Sequence, residues 1–182
     1  LPLSVSPLPA SSSGRNSTMY SDMSGKFLFS LCVSAAAGVI CYAQTPALTH
    51  VFDIRAEIGS AIDGGNNPHG CRVTIPITGG NVTGRVNGTI IPGGADYQLV
   101  DPELHRAELQ AVYTVLTEDS VAIHVCNEGI NRFAPDDSYF MTSPKFECDV
   151  DSPYGWLNNR IFICRPVDFD HNAITLRVWM AE

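Results

Sequence analysis

Positive charge is scarce in this chain. Eleven lysines and arginines stand against 19 aspartates and glutamates in 182 residues, for a formal charge of −8. A field of that sign repels nucleic-acid phosphates and anionic membrane surfaces, so neither is an expected partner. The spacings that announce common chemistries are missing as well. There is no Gly-x-Ser-x-Gly, phosphate-binding loop, dinucleotide fingerprint or His-Glu-x-x-His, and nothing in the residues calls for a cofactor. The six cysteines include no Cys-x-x-Cys pair, which removes the usual frame of a zinc site, so no metal is expected. The apolar run at residues 27–40 stops short of the ~20 residues that cross a bilayer as a helix.

What that run does fit is a secretory signal. Lys26 precedes it and the small-residue segment Cys41-Tyr42-Ala43 follows it. The expected division is therefore residues 1–22 as leader or untranslated sequence, 23–43 as a signal peptide cleaved near Ala43, and 44–182 as one secreted domain. Cleavage would remove Cys32, Cys41 and the sequon at Asn16. Cys71, Cys126, Cys148 and Cys164 would remain, an even number that predicts two disulfides in an oxidising compartment, with all three pairings open. Two sequons, Asn81-Val-Thr and Asn87-Gly-Thr, are the expected glycan acceptors.

Strand-like runs then recur every 8 to 12 residues, roughly, with turn residues between them, the pattern of an all-β sandwich or barrel. Residues 47–58 alternate, placing Phe52, Ile54 and Ala56 on one face and Asp53, Arg55 and Glu57 on the other. Residues 60–70 read as a loop, 72–78 as a strand, and Thr78-Gly-Gly-Asn81 as a hairpin turn. From Val82 to Ile90, Val82, Gly84, Val86, Gly88 and Ile90 face one way. Asn81, Thr83, Arg85, Asn87 and Thr89 face the other. Glycines on the inner face of a barrel would leave it hollow.

A second hairpin pairs residues 105–117 with 120–127. If Glu118-Asp119 closes it as a two-residue turn, Tyr113 stands opposite His124, and Gln110 opposite Asn127. Residues 128–137 then read as a lid carrying Phe133, followed by strands at about 139–149, 156–164 and 172–179.

Polar residues inside strands are the candidates for chemistry, because a lumen holds them rigidly and away from water. His124 is the expected acid or base, with Tyr113 orienting or donating a proton and Glu147 as an alternative carboxylate. Asp96 and Tyr97 follow the Gly93-Gly94 turn, Asp96 as a backbone cap or a ligand contact. Trp156, Asn158 and Arg160 would share one strand face, an aromatic wall beside an amide and a guanidinium suited to a planar, oxygen-bearing ligand.

Several blocks resemble one family in their order. Pro76-Ile-Thr-Gly-Gly80, Gly93-Gly-Ala-Asp96, Leu109 to Tyr113 with Asp119, Tyr139-Phe140, Ser143-Pro-Lys-Phe-Glu147 and Tyr154-Gly-Trp-Leu-Asn158 are similar to those of domain of unknown function 3237, also called UPF0311. The chain departs from the pattern at Asp119-Ser120, where the family usually has aspartate-glycine, and the four mature cysteines look like additions. The resemblance implies a single antiparallel β-barrel of about 8–10 strands with a ligand cavity and no bound redox cofactor or metal.

Two functions are expected from this reading. One is a secreted, cofactor-independent barrel enzyme that dehydrates, isomerises or cyclises a small lipophilic natural-product intermediate. By analogy with fungal barrel cyclases, its specific form is a hetero-Diels-Alder closure through a quinone methide. The other is a lipocalin-like binding protein without chemistry. In both the partner is a small lipophilic molecule, with no membrane once the signal is removed, and a homodimer stays open.

Overall fold

The structure, a computed structural model, describes residues 45–182. The expected leader and signal peptide, with Cys32, Cys41 and Asn16, lie outside the described residues. Nine strands follow one another: β1 (Leu48–Ile58), β2 (Ile62–Asn67), β3 (Gly70–Gly84), β4 (Gly88–Asp101), β5 (Arg106–Thr117), β6 (Ala122–Ala134), β7 (Asp137–Glu147), β8 (Phe162–Asp170) and β9 (Ala173–Ala181). A short 3-10 helix (Gly155–Asn159) precedes β8. All pairings are antiparallel, and the order β1-β9-β8-β7-β6-β5-β4-β3 is closed by pairing of β1 with β3. Eight strands thus form a closed barrel. The extra strand β2 lies on the first half of β3, the part that β1 does not reach.

Alternation dictates the wall. In β1, Phe52, Ile54 and Ala56 are buried, while Asp53 and Arg55 point outward to Arg177 and Asp170. At one end the lumen is solid. Phe146 meets Phe52 edge-on at 5.5 Å and Phe162 at 5.0 Å, with Ile54, Val82, Val115, Val125 and Leu157 packed around them. Leu157 comes from the 3-10 helix, which caps this end, and Arg85 lies 4.3 Å over the ring of Trp156 on the same side. Edge-to-face aromatic packing fills the bore with few voids, and each ring buries far more surface than an aliphatic residue.

Several expectations are corrected here. Residues 60–70 contain β2 rather than forming a bare loop. Thr78 to Asn81 stay inside β3 as a bulge, where Gly80 takes φ +129°, and the true hairpin turn is Arg85 to Asn87. The alternating stretch is thus two strands rather than one. Gly84 and Gly88 do not hollow the barrel. A Cβ on Gly84 would lie 2.7 Å from Phe52 Cα, and one on Gly88 2.6 Å from Leu116 O, so these glycines let neighbouring backbones approach at the filled end. Residues 128–137 form no lid, since β6 runs through to Ala134 and turns into β7 across two residues. Phe133 instead faces His105 on the outside, ring centroids 5.9 Å apart. Residues 156–161 are not strand, and β8 begins at Phe162.

The expected disulfides are absent, and Cys71, Cys126, Cys148 and Cys164 are all free thiols. Their placement explains it. Cys164 is buried in the lumen against Thr142, Cys126 sits on the outer wall, Cys71 lies near Asn66 beside β2, and Cys148 packs at the capped end against Tyr154.

One seam is sparsely paired. β6 and β7 are in register from end to end, whereas β7 and β8 share the single pair Thr142 with Cys164, helped by the Ser143 hydroxyl donating to Phe162 O at 2.9 Å. Pro166 contributes no N–H, and β8 is bulged between Pro166 and Asp168.

Two outcomes are expected. Phe162→Ala should lower unfolding stability by about 3–5 kcal/mol in a denaturant titration, because it removes a fully buried ring packed against Phe146 and Trp156 and leaves a cavity. In hydrogen exchange, the amides of β7 that point toward β8 should exchange well before those that point toward β6.

Candidate functional site

At the other end of the barrel the side chains are too short to meet. Ala56 on β1 and Ala111 on β5 stand where the capped end has Phe52 and Val115. The result is a cavity of about 190 Å³, walled mainly by aliphatic side chains with Phe140 and Phe169. Phe169 is largely exposed, at 67%, which places it at the mouth.

Five polar side chains enter this apolar cup besides the tyrosine hydroxyl: Asp96, Gln98, Asn127, Asn131 and Thr142. Asp96 on β4 stands level with Ala111, and Ala111 is level with Asn127 on β6, so the small alanine leaves a gap between a carboxylate and an amide. Asp96 accepts from Gln98 Nε2 at 2.6 Å and from the Gln110 backbone N–H at 3.2 Å. Burial wins over these hydrogen bonds and holds its carboxyl above the ordinary carboxylate range.

Tyr113 forms the floor, one step deeper on β5. Its place depends on a bulge in β4 at Pro92 and Gly93, after which a Cβ on Gly94 would meet Tyr113 Cβ at 2.5 Å. The ring is buried, and its hydroxyl has no hydrogen-bond partner. Burial, and then the neighbouring Cys164, raise its pKa, so the phenol keeps its proton. Asn127 is also buried, and its Oδ1 is likewise without a partner. Its Nδ2 reaches Cys164 Sγ at 3.9 Å, while the Thr142 hydroxyl donates to the same sulfur at 3.1 Å. Burial pushes the Cys164 thiol up to about 11, which keeps it a protonated filler rather than a nucleophile.

The structure brings Tyr113 and Asp96 to one cavity and leaves the other sequence candidates outside it. Tyr113 faces Val125, not His124, and Gln110 faces Glu128, not Asn127. The cause is the turn. Ser120 takes φ +67°, its N–H donates to Thr117 O, and Thr117 and Val121 exchange backbone and side-chain hydrogen bonds, so the loop is one residue longer than Glu118-Asp119. A one-residue slip moves every side chain to the other face. His124 is therefore exposed, beside exposed Glu147 on the outer wall.

Tyr97 also points outward. Asn158 is committed to backbone, its Oδ1 accepting from Cys148 N at 2.9 Å and its Nδ2 donating to Cys148 O at 3.0 Å. Trp156 packs on Phe162 at the capped end, and exposed Arg160 donates to Asn159 O. Asn127, Gln98, Asn131 and Thr142 were missing from the sequence candidates. The signal for Asn127 lay in the alternation itself, since it shares a face with Ile123 and Val125. Among the described residues, no three His, Cys, Asp or Glu side chains converge as a metal site.

The raised carboxyl of Asp96 has a stability consequence. The folded state holds this proton more tightly than the unfolded chain does. The stabilisation is fully present below the ordinary carboxylate pKa and is lost as pH rises through the higher folded value. Asp96→Asn should flatten that fall in a comparison of thermal denaturation across weakly acidic pH.

Comparison with known proteins agrees with this barrel. The family model described as a protein of unknown function (DUF3237) matches residues 46–181. A UPF0311 protein of Bradyrhizobium diazoefficiens is 38% identical over 137 residues, covering 66% of this chain and 88% of its own. The crystal structure of a conserved protein of unknown function from Rhodopseudomonas palustris superposes with a TM-score of 0.68 at 31% identity, covering 76% of this chain and 99% of that one. The crystal structure of an enzyme from Penicillium herquei superposes with a TM-score of 0.62 at 22% identity, over 75% of this chain and 95% of that one, a likeness of fold.

Proposed function

The chain belongs to the DUF3237 family, and from that premise we propose that its barrel is a cofactor-independent enzyme that moves protons on a small lipophilic molecule held in the open cup. The observation that carries this reading is Asp96. A carboxyl group inside an apolar cavity, with its pKa raised by burial, holds its proton more tightly than an exposed carboxylate and can both give and take it. A carrier of the lipocalin type would share the cup and could use the same carboxyl to hold its ligand, so conversion of substrate is what separates the two.

The chemistry closes without an outside reagent. In a dehydration, Asp96 as the acid gives its proton to a leaving hydroxyl, the C–O bond breaks and water departs. The resulting carboxylate then takes a proton from a second hydroxyl or a C–H of the substrate, and the acid is restored. Tyr113 steadies the substrate oxygen, and the aliphatic walls exclude bulk water and hold one conformation. With an ortho-hydroxybenzyl alcohol the product is a quinone methide, and hetero-Diels-Alder ring closure in the same cup would be the cyclase form of this reaction. Asp96 takes the role first expected of His124 and Glu147.

Export belongs to the same reading, with exposed Asn81 and Asn87 as glycan acceptors. Asn87 also braces its turn, its Oδ1 accepting from Gly84 N and its Nδ2 donating to Gly84 O. Intact-mass measurement of protein secreted by a eukaryotic host should show glycan on these asparagines and an N-terminus near residue 44; an unmodified, retained leader contradicts the export reading.

For the reaction, purified protein should convert members of a panel of ortho-hydroxybenzyl alcohols with loss of one water, read by mass spectrometry. Asp96→Asn should slow that conversion by about 10²-fold or more. An unchanged rate in this variant sinks the catalytic assignment, and tight binding with no conversion by the wild type would return the protein to the carriers.

A further inference from the structure

We propose that the floor of the cup is a hydroxyl-binding subsite, and that the ligand it takes is a one-ring alcohol or phenol bound with its O–H between Tyr113 and Asn127. This deepens the small-molecule reading above and rests on it.

Two buried polar atoms on the floor have no partner, the Tyr113 hydroxyl and Asn127 Oδ1. Leaving such groups unmade inside a protein is costly, so a pair of them on residues that line one cavity marks where a ligand's polar group belongs. They are neighbours. Tyr113 is level with Val125 and Asn127 with Ala111, which makes them diagonal residues on adjacent strands, both pointing into the lumen.

The chemistry of the pair selects the ligand. Asn127 Oδ1 can only accept, and Tyr113 supplies a hydroxyl whose own proton needs an acceptor. A carboxylate or ketone accepts from Tyr113 but leaves Asn127 unsatisfied, and an ammonium does the reverse. A hydroxyl serves both at once, donating to Asn127 and accepting from Tyr113. The Asn127 amide nitrogen is turned toward Cys164 Sγ at 3.9 Å, which leaves Oδ1 as the free acceptor.

Size sets the rest. A dry cavity of ~150 Å³ accommodates benzene, so about 190 Å³ seats one ring with short substituents on the floor, and a larger molecule would reach out through the mouth. Ala111 leaves the space beside the floor clear, so the ring's next substituent comes level with Asp96. Phe140 and Phe169 would then meet the outer edge of the ring near the mouth.

The test is calorimetric and NMR titration of the folded protein with para-cresol, its methyl ether, para-xylene and cyclohexanol. Para-cresol should bind about tenfold tighter than para-xylene or the ether, the worth of one to two net hydrogen bonds. Cyclohexanol, titrated beside cyclohexane as a fifth ligand, should keep the advantage over it, which shows that the O–H and not the aromatic ring is read. Tyr113→Phe and Asn127→Leu should each erase the preference while para-xylene binds at least as well as to the wild type. The hydrocarbon thereby also reports that the variants are folded.

Equal binding of para-cresol and para-xylene overturns the proposal, as does a preference that survives in both variants. A crystal grown with para-cresol that shows only a water between Tyr113 and Asn127 overturns it too. Selective binding without conversion of any substrate would sink the catalytic reading and leave this subsite standing, so the two failures are distinguishable.

Discussion

An eight-stranded barrel has a bore that side chains can just fill, and this constraint governs everything else in the molecule. At the capped end the chain meets it with three phenylalanines locked edge to face, a leucine delivered by the 3-10 helix, and glycines that draw the backbones together. Toward the other end it sets Ala56 and Ala111 on the same inward positions and does not fill the bore. A cup with a rigid floor follows from two residue sizes along the same strands.

That division decides the electrostatics. Tyr113 and Asn127 on the floor are buried, and Asp96 one level higher is desolvated in large part. In a filled barrel such groups would only destabilise, and in an open one they would be hydrated and ordinary. Half-filling produces the intermediate condition in which a carboxyl opens onto a cavity yet holds its proton unusually well. The thin β7–β8 seam runs alongside the same cavity, through Thr142 and Cys164.

Much of this was legible in the sequence, for identifiable reasons. Strand positions followed from alternation, as in Phe52, Ile54 and Ala56, since a face that is buried must be apolar at every second residue. The all-β class was visible for the same reason, and the barrel was what the resemblance of the family blocks implied. The site was harder to see because it depended on register. Ser120 in the left-handed region lengthens one turn by a residue, and that choice alone carries His124 out of the lumen and Asn127 into it. A serine gives little warning of it, where the family's usual glycine would have. The block around Trp156 misled in another way. Its alternating pattern suits a strand, but Asn158 finds both backbone partners at Cys148 and fixes a helical turn instead. The glycines at 84 and 88 pointed to a hollow that exists, for a reason that was wrong, because their missing side chains are occupied by neighbouring backbone.

The claim on which the account turns is that the half-filled barrel keeps Asp96 in an apolar cavity. Carboxyl-carbon NMR of labelled protein, followed as pH is raised from strongly acid conditions, measures this directly. The account predicts that the Asp96 resonance titrates above the ordinary carboxylate range and moves further upward when an apolar ligand displaces water from the cup. Titration at or below the ordinary value, with or without ligand, would mean that the cavity is wet and that the proposed acid is only a surface carboxylate.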